Sequence, residues 1–212
     1  MCVLKQYEAG IECYDKALAL KPQFAQAHGD RGSALLELGR PLDALASYDQ
    51  ALAIQPDDAL AHCNRGTALL SLGRAREAIA SHDRALAIHS DLPEAWLNRG
   101  NACQALDDHE AAVASYDRAI ACRPNYPMAF ANRCSALQEL HRLDEAIASC
   151  DQAIALDAGF TEHEFPTDGL WLDIDYMDRY KVFTTSAAHF QAPLGPQPSG
   201  TNPELQTLSE HG

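Results

Sequence analysis

Asp173 and Asp175 stand two residues apart in the segment DGLWLDIDYMDRY, on the same side of an alternation that places Leu170, Leu172, Ile174 and Tyr176 opposite Trp171, Asp173, Asp175 and Met177. A D-x-D pair on one strand can hold a metal beside a sugar nucleotide, although three letters in an acidic chain are a weak signal. Cys2, Cys13, Cys63, Cys103, Cys122, Cys134 and Cys150 form no C-x-x-C pair and are odd in number. Neither a zinc ribbon nor a closed disulfide framework is indicated, and reduced, mostly buried thiols are expected. Two further columns recur along the chain: Arg31, Arg65, Arg99 and Arg133, and Asp15, Asp49, Asp83, Asp117 and Asp151. They either pair as a ladder between helices, which would let each guanidinium sit near a core edge with its charge satisfied, or remain as separate solvated charges. Neither reading is catalytic. A third column, Asp30, Asn64, Asn98 and Asn132, lies one helical turn from Ser33, Thr67, Asn101 and Ser135. An amide both donates and accepts, so Asn64, Asn98, Asn101 and Asn132 are candidates to pair with the backbone of a bound peptide whatever its sequence. The alternative is that they satisfy neighbouring helix carbonyls or water.

These columns exist because the chain repeats itself every 34 residues. The lines are AQAHGDRGSALLELGRPLDALASYDQALAIQPDD from Ala25, ALAHCNRGTALLSLGRAREAIASHDRALAIHSDL from Ala59, PEAWLNRGNACQALDDHEAAVASYDRAIACRPNY from Pro93 and PMAFANRCSALQELHRLDEAIASCDQAIALDAGF from Pro127. The preceding segment matches only the second half of a line, so the chain is expected to begin inside a unit. Expected boundaries are a half repeat over 1–24, full repeats over 25–58, 59–92, 93–126 and 127–158, and tail segments over 159–190 and 191–212. Each line holds two amphipathic helices broken at Gly39, Gly73, Asp107 or His141, and the second helix ends near Pro22, Pro56 and Pro124. Small residues mark close helix approaches: Gly32, Gly66 and Gly100, then Ala44, Ala78, Ala112 and Ala146, then Ala51, Ala85, Ala119 and Ala153. Tyr14, Tyr48, His82 and Tyr116 are expected as larger knobs between units. In the half repeat, Tyr7, Ile11 and Tyr14 lack a partner helix and are expected to expose apolar surface, inviting self-association.

These residues resemble the tetratricopeptide repeat, with its W-x2-L-G-x2-Y, A-x3-F, A and P pattern over 34 residues. The resemblance covers residues 1 to about 158. It departs at the arginine column, where the family usually has Leu, at Cys134 in place of Gly, at Cys150 in place of an aromatic, and at Ser90 and Ala158 in place of Pro. The implied fold is all-α: a right-handed α-solenoid of about four and a half helix-turn-helix units with a largely irregular C-terminal tail. The implied function is a non-catalytic interaction scaffold that receives an extended peptide or a partner helix on the concave face of its first helices. The Asn column resembles the asparagine ladder in the repeat arm of the O-linked N-acetylglucosamine transferases. Repeats that grip a chaperone's terminal carboxylate use lysines and asparagines where this chain has Gly29, Cys63, Leu97 and Ala131, so that partner class is disfavoured. The groove otherwise offers Gln26, Leu60, Glu94, Met128, Leu36, Leu70, Gln104 and Gln138.

Past Phe160 the period stops. The words DGLWLDIDYMDRYKVFT resemble one barrel strand and loop of the family 31 glycoside hydrolases, over about residues 165–190, with Asp173 in the place of a sugar-contacting carboxylate. The family's nucleophile segment is missing, hydrolysis needs two carboxylates across the glycosidic bond, and one strand cannot close an eight-stranded barrel. The tail is then a fused or misread remnant, or a cap in which Trp171, Leu172, Ile174 and Tyr176 cover the end of the array. From residue 191, with four prolines, it reads as disordered. Composition narrows the partners. The 212 residues carry a net charge of −14, from 16 basic and 30 acidic side chains, which disfavours nucleic acid and anionic membranes and favours neutral or basic peptides. No apolar run reaches the roughly 18–20 residues of a membrane span, and no secretory signal opens the chain. The expectation is therefore a cytoplasmic, non-enzymatic protein without cofactor or metal; the alternative is an inactive fragment of a carbohydrate-active enzyme.

Overall fold

Each line of the repeat folds as a helix pair because its small and apolar residues recur on one helical face, while a residue in the left-handed region stops the first helix. The computed structural model describes residues 2–158. The strand expected around residues 170–177, the D-x-D pair and the disorder expected from residue 191 lie outside the described residues. First helices are α2 (Ala25–Glu37), α4 (Ala59–Ser71), α6 (Pro93–Gln104) and α8 (Pro127–Glu139); second helices are α1 (Cys2–Leu20), α3 (Pro41–Ile54), α5 (Ala75–Ile88), α7 (His109–Cys122) and α9 (Leu143–Ala158). Each packs on the next in chain order to form an α-solenoid.

The breaks between paired helices share one geometry. Gly39 and Gly73 sit at φ 68° and 72°, and Asp107 and His141 adopt φ 58° and 56° at the equivalent places. Their N–H groups close tight turns, Gly39 donating to Leu36 O at 2.9 Å and His141 to Gln138 O at 3.0 Å. A side chain at positive φ carries a steric cost that glycine avoids, partly offset by glycine's greater freedom when unfolded. His141→Gly is therefore expected to stabilise the chain by about 0.5–1 kcal/mol in urea unfolding; an unchanged midpoint would mean that the imidazole offsets its own strain.

Inside the first three pairs, a ring from the second helix fills the hollow over a glycine of the first. A Cβ at Gly32, Gly66 or Gly100 would meet Tyr48, His82 or Tyr116 at 2.7, 2.6 or 2.4 Å. These rings thus pack within a pair, correcting the expectation that they act between units. The alanines at the other close approaches are almost fully buried, Ala44, Ala78 and Ala112 at 0% exposure and Ala146 at 2%. In the last pair, Cys134 and Cys150 occupy the glycine and ring positions and are joined by a disulfide, with Cα atoms 5.5 Å apart. The expectation of reduced thiols fails there because paired helices bring residues 16 apart face to face, a proximity that C-x-x-C spacing and cysteine parity do not register. The half repeat also departs from expectation: Ile11 is buried, and Tyr7 and Tyr14 are partly buried against the core that α1 shares with α2 and α3.

The arginine and aspartate columns form the ladder. Arg31, Arg65 and Arg99 each donate through Nε to Asp15, Asp49 and Asp83 of the preceding second helix at 2.7 Å, and Arg133 donates to Asp117 at 2.6 Å. Each guanidinium also donates through Nη1 to a serine of its own pair: Ser47, Ser81, Ser115 or Ser149. These serines are buried, and at three of them the hydroxyl returns its proton to the carbonyl four residues back, at Asp43, Ala111 and Glu145. One arginine thereby ties three helices, and the serine column, recurring as A-S-x-D in every line, is its second anchor.

Candidate peptide-binding groove

First helices of successive units touch one another, α2 with α4, α4 with α6 and α6 with α8, while among the described residues successive second helices do not pair in this way. The stack therefore curves with its first helices inside, and the columns on those helices line the inner face. All four candidate asparagines lie there, partly exposed, but their surroundings differ.

Asn98 Nδ2 donates to Thr67 Oγ1 of the preceding first helix at 3.2 Å, and Asn132 Nδ2 donates to Asn101 Oδ1 at 2.8 Å. Asn64 makes no side-chain hydrogen bond among the described residues; its counterpart Ser33 bonds Gly29 O at 3.2 Å and the Tyr48 hydroxyl at 3.1 Å instead. Asp30 accepts from Gln26 Nε2 at 2.8 Å on its own helix. Two rungs thus spend one N–H on the neighbouring unit, and among the described residues the Asn64 amide stays unengaged. Asn101 is tied more tightly, its oxygen also lying 2.9 Å from the Tyr116 hydroxyl. That hydroxyl is 2.8 Å from Gln104 as well, and Gln104 is 3.3 Å from Ser135 Oγ. A phenol has one proton, so one of its two amide neighbours must donate to it instead. The columns identified Asn101 but not this Tyr116–Asn101–Gln104–Ser135 network, whose signal is a glutamine 31 residues before a serine.

Apolar and charged groups flank the asparagines. Leu60 and Met128, near the starts of α4 and α8, are 64% and 55% exposed, large apolar surface beside polar amides. Glu94, in the same column, is paired with Arg123 from the end of the second helix that follows it. Cys63, in the place of a carboxylate clamp, is buried, and burial pushes its thiol up to about 11, so it stays protonated. Burial likewise raises the Tyr48 and Tyr116 phenols, keeping them neutral hydrogen-bonding groups. The residues that open each first helix anchor the preceding loop: His28 and His62 contact the carbonyls of Pro22 and Pro56 at 2.9 Å, and Trp96 Nε1 donates to Ser90 O at 2.8 Å. Phe130 has no polar atom with which to make this tether.

Comparison with known proteins agrees with this architecture. Tetratricopeptide repeat models match residues 4–39, 32–73 and 63–127, together more than half of the chain, and the chain belongs to the tetratricopeptide repeat family. A model of the glycosyl hydrolases family 31 TIM-barrel domain matches residues 139–197. That match begins well before residue 165 and includes all of α9, which packs as a repeat helix. No match is found among curated proteins. Among solved structures, MamA superposes with a TM-score of 0.69 at 21% identity, covering 74% of this chain and 91% of its own. TTC0263 of Thermus thermophilus, a thermophilic TPR protein, gives 0.64 at 21% identity over 85% of this chain and 91% of its own. YrrB, a TPR protein with an unusual peptide-binding site, gives 0.62 at 21% identity over 73% and 80%.

Proposed function

We propose that the chain is a non-catalytic interaction scaffold that holds an extended, neutral or basic peptide against its first helices. The observation that carries this reading is the unengaged Asn64 amide beside exposed Leu60: a donor–acceptor group for a peptide unit next to apolar surface for a side chain. The peptide-binding site of YrrB, a protein of the same fold, lends support by analogy. Each asparagine that pairs with peptide backbone is worth about 0.5–1.5 kcal/mol, so the Asn64, Asn98 and Asn132 triple alanine variant is expected to bind one to three orders of magnitude more weakly. The probe is an array of nine-residue peptides with blocked ends, neutral or lysine-rich, read by fluorescence anisotropy.

Stability separates the rungs. Asn98→Ala and Asn132→Ala remove bonds between helices and should lower the unfolding midpoint, whereas Asn64→Ala should leave stability unchanged and lower affinity alone. Unchanged affinity of Asn64→Ala for every peptide bound by the parent would defeat the proposal. For basic peptides affinity should also fall with added salt.

The family 31 match favours one alternative, a fused fragment of a carbohydrate-active enzyme without activity of its own. Release of glucose from maltose, lost in Asp173→Asn, would show instead that the tail works as part of an enzyme.

A further inference from the structure

The last helix pair is closed differently from the others. In three pairs a glycine meets a ring 16 residues later; in the fourth those two places hold Cys134 and Cys150, and a covalent bond stands where the ring would fill space. No other disulfide occurs among the described residues, where Cys13 is exposed and Cys63 and Cys103 are buried.

We propose that Cys134–Cys150 is a reversible thiol–disulfide site, reduced by dithiols, whose state decides whether α9 stays docked on α8. Three features support it. Two thiols occupy much less volume than a tyrosine ring, so reduction leaves the pair without the filler used elsewhere. Among the described residues, moreover, α9 packs on α8 and no helix follows it. Ile147 and Ile154 are 50% and 58% exposed there, whereas in the same two columns of the earlier units Leu45, Leu86 and Val113 are buried and Leu52, Ile79 and Ile120 are partly buried. Across the interface there remain the Arg133–Ser149 bond, the Arg133–Glu145 ion pair at 4.0 Å and the packing of buried residues such as Ala146 and Ala153. Access, finally, is asymmetric: Cys134 is 0% exposed and Cys150 is partly exposed.

The chemistry follows from that asymmetry. A thiolate of an external dithiol attacks Sγ of Cys150, the S–S bond breaks, and Cys134 leaves as a thiolate that takes a proton from water. The second thiol of the reductant then attacks the mixed disulfide and releases Cys150. Two electrons pass from the dithiol, which becomes a disulfide, to the protein, which gains two thiols. Undocking α9 would uncover the face of α8 around Cys134, which is fully buried in the oxidised pair.

Hydrogen exchange by mass spectrometry on the full chain, before and after dithiothreitol, tests this. A disulfide closing a loop of about 15 residues constrains the chain enough that its loss should speed exchange in α9 roughly a hundredfold, with α2–α7 unchanged. Oxidised glutathione should restore the slow exchange, and alkylation should count two extra thiols in the reduced form. Cys134→Gly with Cys150→Tyr rebuilds the glycine–ring pair of the other units and should make α9 indifferent to dithiol. Equal exchange in oxidised and reduced wild-type protein would overturn the proposal, as would a bond that oxidised glutathione cannot reform. The wild-type comparison decides the matter even if the double variant does not fold.

Discussion

Replacing Gly100 by leucine is expected to lower the melting temperature by about 10 °C, from roughly 3 kcal/mol of overpacking. A Cβ at this position already meets Tyr116 Cε1 at 2.4 Å, and the Tyr116 ring is itself fully buried. It cannot swing outward without losing its hydroxyl contacts to Asn101 and Gln104. Either α6 and α7 separate, breaking the contacts of Ala102 and Ala112, or the ring leaves its rotamer. Gly29 on α2 supplies the contrast, for a Cβ there has nothing within 4 Å. Gly29→Ala should therefore gain helix propensity at no steric cost and stabilise by up to about 1 kcal/mol. Calorimetry on both variants checks the pair. Similar small effects from the two substitutions would show that the glycine column does not set helix separation.

The second large effect comes from the one line that places histidine where its neighbours have tyrosine. His82 is fully buried, and neither ring nitrogen has a hydrogen-bond partner. Burial above all, with some help from Arg99 and against the pull of Asp83, lowers its pKa from 6.5 to about 4. Protonation is thus easier in the unfolded chain, so stability holds above pH 6.5 and is lost as pH falls through the folded value. The loss from His82 should reach about 3 kcal/mol by pH 4. His82→Tyr removes a titrating group and two unsatisfied nitrogens, and Thr67 stands where Ser33 and Asn101 meet the hydroxyls of Tyr48 and Tyr116. Urea unfolding at pH 7.5 and pH 4.5 should show the variant more stable at both, with the gap widening in acid. Parallel pH dependence of the two proteins would place the acid sensitivity elsewhere.

The helix pairs were legible in the sequence because their determinants repeat. Ala44 and its equivalents, the breaks at Gly39 and Gly73 and the arginine and aspartate columns recur in register, and what recurs must be used alike in every unit. The residues that the sequence reading misplaced are those defined by contact across a pair. Tyr48 and Gly32 lie 16 residues apart, so only the turn at Gly39 reveals that they meet, and the same geometry hid the bond between Cys134 and Cys150. Ser47 and its equivalents were as periodic as the arginines, yet a serine in a helix signals nothing until its guanidinium is in place. In the groove, position was legible and engagement was not: Asn64 and Asn98 share a column, but only Asn98 faces a threonine able to accept its proton.

The arginine ladder also bears on how such a chain changes length over generations. Every rung obeys the same two offsets, an aspartate 16 residues before the arginine and a serine 16 residues after it. Excising residues 59–92 would remove Arg65, Ser81 and Asp83 together and bring Arg99 to the spacing from Asp49 that Arg65 has now. Only the Asn98 amide would change, exchanging its bond to Thr67 for the unbonded place opposite Ser33 that Asn64 has now. No charge would be orphaned and no hydroxyl stranded. Unequal recombination between copies therefore yields shorter or longer arrays whose arginine ladder is already complete, so that copy number can change without breaking a rung.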